Sequence, residues 1–300
     1  MTYEHKKSRI ALVTGATGYI GSNLTRRLVS ENWQVHIVVR TDSNLKILSP
    51  VLDQLFVHVH DGTTKNIIDI VTSASPEVIF HLASLFIVQH KSEDIEPLIT
   101  SNILFSTQLA EAAVVNKVKK FINTSTSWQH FEQLDYLPVN LYASTKQAFE
   151  DILKYFADSF ELKVLSLVLF DTYGPGDFRP KLVPLLINSL KSQQALEMSA
   201  GKQLIDIVYI DDVVEAFLKA FIYLDHAEVL YSRYAVSSNS PISLLDFVSL
   251  FEKTLNIKLK INWGARPYRI REVMSTWKKY DLLPNWVPQV NLSEGLKKLV

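Results

Sequence analysis

Short apolar runs alternate with amphipathic stretches along the first half of the chain. Five runs predict strands, and the first of them predicts a fully buried one: residues 10–13 (IALV), 34–39 (QVHIVV), 55–60 (LFVHVH), 78–83 (VIFHLA) and 119–125 (KKFINTS). Apolar positions at helical spacing predict helices over residues 19–28, 65–72, about 94–116 and 139–160. We therefore expect an α/β fold with a doubly wound parallel sheet and a ligand at the carboxyl ends of its strands.

Three glycines at a spacing of three follow the first apolar run. Gly15 would permit a tight turn, Gly18 would let backbone N–H groups approach a pyrophosphate, and Gly21 would let the next helix pack closely on the strand. A glycine-rich turn without a ligand is the alternative. Because strand, turn, helix and a second strand come in the required order, the pattern predicts a dinucleotide-binding site.

The ends of the next strands offer further candidates for cofactor binding. Arg40 closes the second strand, where NAD-binding proteins usually have an acidic residue, and a cation there favours the 2′-phosphate of NADP(H) over simple exposure to solvent. Asp61, with Gly62, could accept a hydrogen bond from the adenine amino group or could only form a turn. A cofactor ribose or nicotinamide could press against the segment after the fourth strand: Leu82, Ala83 and Ser84.

His58 and His60 alternate along the third predicted strand and so share one face. Metal binding is conceivable there, but no third ligand is apparent. The pattern favours an exposed strand face, and we expect no metal.

A tyrosine and a lysine lie one helical turn apart shortly after the fifth strand. Tyr142 and Lys146 share a face of the predicted helix, and Thr126 ends the strand before it. A phenol has an ordinary pKa of about 10, so a nearby ammonium that stabilises the phenolate would make proton exchange with a substrate oxygen feasible. The Thr126 hydroxyl could hold the same oxygen. The pattern predicts an acid/base pair.

Composition limits the partners and the compartment. The 300 residues include 31 basic and 31 acidic residues, so nothing favours nucleic acid or an anionic membrane. Cysteine is absent, which excludes disulfides and thiolate chemistry and suits a reducing compartment. No apolar run is expected to reach the length of a membrane span, so we expect a cytoplasmic protein.

The chain resembles the extended short-chain dehydrogenase/reductase family, the nucleotide-sugar epimerases, dehydratases and reductases. The resemblance rests on TGATGYIG at residues 14–21, HLA at 81–83, Asn102, the hydroxyl triplet ending at Thr126, YASTK at 142–146, YGPGD at 173–177 and YIDDVVEAF at 209–217. It implies that Tyr142 is the acid/base, that Lys146 tunes it and binds the nicotinamide ribose, and that Thr126 orients a substrate carbonyl. It adds further expected cofactor contacts: Thr17, Tyr19, Ile20, Asn102 and Phe170.

The resemblance also implies a domain organisation. We expect a Rossmann-type NADP-binding domain at residues 1–170, to which a segment at about 203–236 returns, and a smaller substrate-binding lobe at residues 171–300. Relatives commonly dimerise through the long helix and the helix of Tyr142, so we expect a homodimer.

Substrate binding is expected in the C-terminal part. Of Arg266, Arg269 and Arg271, Arg269 is the best candidate to clamp a diphosphate, and a solvated basic loop is the alternative. Two positions depart from the family: Asp171 replaces an asparagine, and Ile205 replaces an arginine. With Ser84 and Thr126 as further substrate contacts, we expect a specialised sugar pocket around three residues after the fifth strand: Trp128, His130 and Phe131.

The resemblance, together with Arg40, implies NADPH-dependent reduction of the 4-keto group of a nucleotide-linked deoxysugar. The expected substrate is CDP-4-keto-3,6-dideoxyglucose, in the biosynthesis of O-antigen. A nucleotide-sugar 4-epimerase with tightly bound cofactor is the alternative, and a non-catalytic NADP-binding sensor is a third. An acidic pair after Thr126, usual in dehydratases, is absent, and a hydrolase would need a nucleophile motif that the sequence lacks.

Overall fold

The computed structural model describes residues 9–299, and strands and helices alternate through most of that range. The strands are β1 Ile10–Thr14, β2 Gln34–Val39, β3 Leu55–Val59, β4 Val78–His81, β5 Lys120–Thr126, β6 Lys163–Leu169, β7 Asp171–Tyr173, β8 Leu196–Met198, β9 Leu204–Ile205, β10 Ile207–Tyr209, β11 Tyr231–Val236, β12 Ile242–Ser243 and β13 Ile261–Trp263. The helices are α1 Tyr19–Ser30, α2 Thr64–Ala74, α3 Ile95–Ile99, α4 Phe105–Val115, α5 Leu141–Phe160, α6 Leu182–Ser192, α7 Ile210–His226, α8 Leu244–Leu255 and α9 Leu292–Lys297.

One parallel sheet of seven strands organises the described residues, in the order β11-β6-β5-β4-β1-β2-β3. Strand β1, which lies between β4 and β2, is buried on both faces because side chains alternate along it. Ala11 and Val13 pack into one apolar cluster, and Leu12 packs into another on the opposite face. The predicted Rossmann-type α/β fold with a doubly wound sheet is confirmed.

The long helix predicted over residues 94–116 is one helical stretch with a change of pitch in the middle. A π-helical segment at Thr100–Leu104 joins α3 to α4, and Asn102 lies in it. Such segments widen the helix locally and reorient side chains, and they are frequent at functional sites.

The chain after β6 builds smaller sheets and then rejoins the main one. β7 pairs with β10, β9 with β12, and β8 with β13, each as a two-stranded sheet. β11 pairs in parallel with β6 at the edge of the main sheet, and α7 packs on α1. Some of the residues that follow β6, among them Phe170, Asp171 and Arg269, lie close to the turn after Thr126 at the carboxyl end of β5.

One expectation from the apolar pattern is wrong. The helical stretch Ser92–Val115 is long and apolar enough to cross a membrane by length and composition. The sequence argument missed it because charged residues such as Glu93, Asp94, Glu96 and Glu111 interrupt the apolar positions of this stretch. Its α4 segment packs against α2 and α5, which accounts for buried apolar residues such as Leu109 and Ala113.

Candidate active site

The glycine turn after β1 is shaped for a close approach of backbone atoms. Gly15 has φ +73°, and a Cβ there would lie 2.6 Å from the Ala83 nitrogen. A Cβ on Gly21 would collide with the Gly15 carbonyl, so Gly21 lets α1 pack against the turn. Gly18 is exposed, and a Cβ there would meet only the Gly15 oxygen at 3.2 Å. The turn therefore leaves open space at Gly18, as a bound pyrophosphate requires.

The N-terminus of α1 is free of internal competitors for an anion. Gly18 is its N-cap, no side chain caps it, and its first turn contains no acidic residue. The unpaired N–H groups and the helix dipole of this twelve-residue helix favour a negative charge there. The observed turn and helix end thus fit the diphosphate of a dinucleotide, with Thr17, Tyr19 and Ile20 around the same turn.

Asn102 connects the segment after β4 to α5. Its Oδ1 accepts from Leu85 N at 2.7 Å and from the Ser84 hydroxyl at 3.2 Å, and its Nδ2 donates to Leu85 O and to Thr145 Oγ1, both at 3.0 Å. Both amide hydrogens and the oxygen are therefore engaged by the protein. Asn102 therefore fixes the loop after β4 at Ser84 and Leu85, and its expected contact with a cofactor stays a prediction.

Tyr142 lies in the first turn of α5. The Asn140 side chain caps this helix by accepting a hydrogen bond from Ala143 N at 3.0 Å. The ring is 9% exposed, and the Phe86 ring packs edge-on against it at 4.9 Å between centroids. Burial raises the pKa of Tyr142 to about 12, although a hydrogen bond with the Ser84 side chain opposes the shift. Desolvation of the phenol is the largest cause of this shift, and the expectation that Lys146 lowers the pKa of Tyr142 stays a prediction.

Lys146 is a buried cation without a partner of its own. Its side chain is fully buried within α5, and among residues 9–299 it has no ion pair or hydrogen bond through its ammonium. Burial lowers the pKa of Lys146 to about 8, and the charge of Glu150 opposes this. An unpaired buried ammonium beside Tyr142 suits contact with the hydroxyls of a ribose.

Thr126 ends β5 with its hydroxyl oriented by the following turn. Its Oγ1 accepts from Trp128 N at 3.3 Å, and the hydroxyl hydrogen remains available for donation to a substrate oxygen. The Gln129 side chain braces this strand end, because its Oε1 accepts from Thr126 N at 3.3 Å and from the Ser125 hydroxyl. Sequence reasoning missed this role of Gln129.

A cavity of about 250 Å³ lies between the turn after Thr126 and the C-terminal segment. Trp128, His130 and Phe131 line it as expected, together with Phe170 and Asp171. Further lining residues were not predicted: Lys181, Glu272 and Trp277. Its walls combine aromatic rings with a few charged groups, which is typical of a small-molecule site.

The cations of this cavity are paired with carboxylates. Arg269 forms a two-pronged contact with Glu272, at 2.7 and 2.9 Å, and its guanidinium lies 5.6 Å from the Trp128 ring. Lys181 Nζ lies 3.4 Å from the Asp171 carboxylate. A diphosphate would therefore meet two oriented cations whose charges are already balanced.

The two other candidate arginines lie elsewhere. Arg266 is exposed, is 3.8 Å from the Glu197 carboxylate and does not line the cavity. Arg271 donates to the Pro138 carbonyl and lies over the Phe131 ring at 5.7 Å. Neither arginine lines the cavity, and the expectation that Arg266 and Arg271 bind substrate stays a prediction.

The two candidates beside the adenosine position are exposed. Arg40 follows β2, and within residues 9–299 it forms an ion pair with Asp42 at 3.3 Å, with both side chains about three-quarters exposed. Asp61 Oδ1 accepts from the backbone and hydroxyl of Thr63, which is the turn alternative. These bonds lower the pKa of the Asp61 carboxyl.

The histidines of the β3 region pair within the sheet. His58 Nε2 and His36 Nδ1 are 2.9 Å apart, and His60 bonds the Asn66 side chain. Among the residues described, no cluster of three potential metal ligands occurs.

Fold and site together define a class: a Rossmann-type α/β protein with a tyrosine–lysine pair beside a dinucleotide-shaped turn. The chain belongs to the NAD dependent epimerase/dehydratase family, whose sequence model matches residues 11–230, and the predicted family is confirmed.

Two curated relatives and one solved structure are similar over almost the whole chain. CDP-abequose synthase of Salmonella typhimurium is 26% identical over 295 residues and 96% of both chains. That of Yersinia pseudotuberculosis is 25% identical over 270 residues, 90% of this chain and 92% of the relative. The structure of MoeE5 in complex with UDP-glucose and NAD has a TM-score of 0.83 and 26% identity, and 96% of both chains is covered.

Proposed function

We propose that the chain is an NADPH-dependent reductase of the 4-keto group of a nucleotide-linked deoxysugar. The proposed reaction converts CDP-4-keto-3,6-dideoxyglucose to CDP-abequose for O-antigen biosynthesis. The observation that carries the chemistry is the buried pair of Tyr142 and Lys146 in α5, with the Phe86 ring packed between Tyr142 and Trp128 of the cavity wall. The full-length similarity to CDP-abequose synthases supports this particular reaction.

In this proposal each residue has one task at the reacting carbonyl. A bound reduced nicotinamide supplies the hydride that adds to C4 of the sugar. Thr126 donates a hydrogen bond to the C4 oxygen, and Tyr142 gives that oxygen its phenolic proton. Lys146 carries the charge that stabilises the resulting phenolate, and it holds the ribose of the cofactor.

Reaction through Tyr142 needs its high pKa to fall when ligands bind. Burial holds the phenol protonated at neutral pH, which is the form that a reductase needs at the start of turnover. Lys146 can favour loss of that proton only in its charged form, and its pKa of about 8 lies close to neutrality. We therefore expect the rate to fall as the pH rises through about 8.

Arg40 supports the choice of NADP(H). Its guanidinium is held only by the exposed Asp42, an interaction that contributes about 0–1 kcal/mol, so little opposes its turning toward a 2′-phosphate. The backbone N–H of Arg40 donates to the Ser43 hydroxyl at 2.9 Å. This hydrogen bond closes a turn that keeps Arg40 next to the end of β2.

The cavity supports a deoxysugar. His130 stacks on Trp277 at 3.6 Å between ring centroids, and Trp128 and Phe131 add further apolar surface. Such walls favour methylene and methyl groups over hydroxyls, which would lose their hydrogen bonds to water. Arg269 and Lys181 are the proposed contacts of the diphosphate.

A nucleotide-sugar 4-epimerase with retained NAD(P) is the second candidate. The family name and the NAD in the MoeE5 structure favour it. An epimerase returns the hydride that it takes, so it would consume no net cofactor. A non-catalytic NADP-binding sensor is a minor alternative, because it would not need both Tyr142 and Lys146.

We also propose a cytoplasmic homodimer in which residues 1–170, with the returning segment at about 203–236, bind NADP and residues 171–300 bind substrate. Exposed apolar side chains on the long helix and α5 support the dimer: Leu104, Val115, Tyr155 and Phe160. Light scattering during size-exclusion chromatography tests this. A monomer at micromolar concentration would contradict it.

The proposed reaction is tested by following NADPH absorbance after addition of CDP-4-keto-3,6-dideoxyglucose. We expect NADPH loss in proportion to product, slower loss with NADH, and none with a dTDP-4-keto-6-deoxyglucose control. The same assay is applied to Lys146→Met, which removes the buried ammonium. Lys65→Met is its matched control, because the Lys65 side chain is exposed and forms its ion pair with Asp69. No NADPH loss with this 4-keto sugar, together with conversion of a nucleotide sugar that carries a C4 hydroxyl into its C4 epimer, would instead support the epimerase.

A further inference from the structure

A buried carboxylate that the proposed chemistry does not use lies directly behind the tyrosine–lysine pair. Glu150 is 1% exposed and follows Lys146 by four residues in α5, so the two side chains share a face of the helix. A carboxylate is almost never fully buried unless it is paired. Its burial therefore calls for a compensating cation and hydrogen-bond donors.

The compensating groups come from distant parts of the chain. Arg233 of β11 lies with its Nε 3.3 Å from the carboxylate, and Gln129 donates to it through Nε2 at 3.0 Å. Gln129 is the residue that also braces Thr126 through its Oε1. One carboxylate thus connects the helix of Tyr142 and Lys146 to the strand end of Thr126.

Arg233 in turn connects Glu150 to the wall of the sugar cavity. Its Nη2 lies 2.6 Å from His130 Nε2, and the His130 ring stacks on Trp277. Burial and the neighbouring Arg233 lower the pKa of His130 to about 4, so the neutral ring accepts a hydrogen bond from the guanidinium. Arg233 therefore keeps its charge directed at Glu150.

The charges around Lys146 show why Glu150 matters. The titratable groups that face Lys146 are Tyr142 and Glu150 on its own helix and His81 from β4. His81 is fully buried between Thr14 and Ser106, and burial holds its pKa well below the usual range, so it carries no charge near neutrality. Glu150 is the anion in this group.

We propose that Glu150 is a positioning residue that keeps Lys146 charged in the active site, and that Arg233 and Gln129 hold Glu150 in place. This inference rests on the proposed function for the role of Lys146. Without the anion, buried Lys146 and Arg233 would be two cations with no counter-charge, and Lys146 would lose its proton at lower pH.

The direct test measures the charge of Lys146 without substrate or cofactor. Acetic anhydride acetylates only the neutral amine, so the reactivity of Lys146, followed by peptide mass spectrometry across a pH series, reports its pKa. We expect a wild-type midpoint near the pKa of about 8, and a midpoint lower by at least about one unit in Glu150→Gln. Glu150→Asp retains the negative charge, so its midpoint should lie close to the wild-type value.

Asp151→Asn is the matched control. It removes a carboxylate from the neighbouring position of α5, where the side chain is exposed and contacts Lys154 and Gln147. We expect it to leave the midpoint of Lys146 unchanged. A folded Glu150→Gln variant with the wild-type midpoint would refute the inference.

A second measurement keeps the test decisive if Glu150→Gln does not fold or Lys146 resists acetylation. The double variant Glu150→Gln/Arg233→Met leaves no unpaired arginine, and replacing a buried ion pair by uncharged groups is often neutral for stability. As the pH rises, this variant should lose affinity for NADPH at a lower pH than the wild type does. An unchanged pH dependence refutes the role of Glu150, whereas absence of NADPH binding by the wild type refutes the proposed function.

Discussion

Substitution of Gly15 by alanine tests the geometry of the cofactor turn. The φ of +73° costs an alanine about 1–2 kcal/mol. The added Cβ would also lie 2.6 Å from Leu82 C and Ala83 N, which are backbone atoms held by Thr14. Forcing backbone apart in a packed region adds about 1–3 kcal/mol.

Gly264→Ala separates the two contributions. Gly264 has nearly the same φ, +77°, but a Cβ there would meet no atom within 4 Å. The control should therefore lose only the conformational part, about 1–2 kcal/mol, while Gly15→Ala loses about 2–5 kcal/mol. At about 2 °C per kcal/mol, melting should fall by about 4–10 °C for Gly15→Ala and by about 2–4 °C for the control.

Differential scanning calorimetry and NADPH titration measure the two effects. NADPH should bind Gly15→Ala at least about tenfold more weakly, since the N–H groups around Gly18 would shift with the turn, and Gly264→Ala should bind it normally. Equal melting temperatures and equal affinities for the two variants would refute the steric argument.

Three further changes test other parts of the site. Tyr142→Phe should lower kcat by about 10²–10⁴ while NADPH affinity is retained, and a loss under tenfold in steady-state assays would contradict its acid role. Arg40→Ser should weaken NADPH about tenfold or more by titration without changing NADH affinity or melting, since the exposed pair with Asp42 contributes about 0–1 kcal/mol. Burial lowers the pKa of His36 from 6.5 to about 4. As the pH falls, the unfolded chain therefore binds a proton at His36 before the folded chain does, and stability is lost between about pH 6.5 and pH 4. In that window the melting temperature of His36→Gln should depend less on pH than that of the wild type. An unchanged slope would exclude His36 as the source of the pH dependence.

Local patterns predicted the parts of the site that lie close together in sequence. The turn from Gly15 to Gly21 and the pair of Tyr142 and Lys146 each depend on one strand end or one helical turn, and periodicity fixes their geometry. The π-helical segment around Asn102 was not predictable, because its pitch change depends on packing and on contacts with Leu85 and Thr145.

Long-range contacts explain what the sequence could not show. Arg233 meets Glu150 across 83 positions, and only the pairing of β11 with β6 brings them together. The sole local signal was the position of Glu150 on the buried face of α5, four residues after Lys146. The basic character of the loop after β13 identified three arginines alike, whereas the path of that loop decides that Arg269 reaches the cavity.

The fate of the hydride tests the central proposal most directly. The protein is incubated with CDP-4-keto-3,6-dideoxyglucose and with NADPH that carries deuterium at the hydride position transferred from the nicotinamide. The mass of the product is then measured by mass spectrometry. A reductase should place one deuterium at C4 of every product molecule and leave an equal amount of NADP⁺. Unreduced 4-keto sugar and undiminished NADPH would contradict the account.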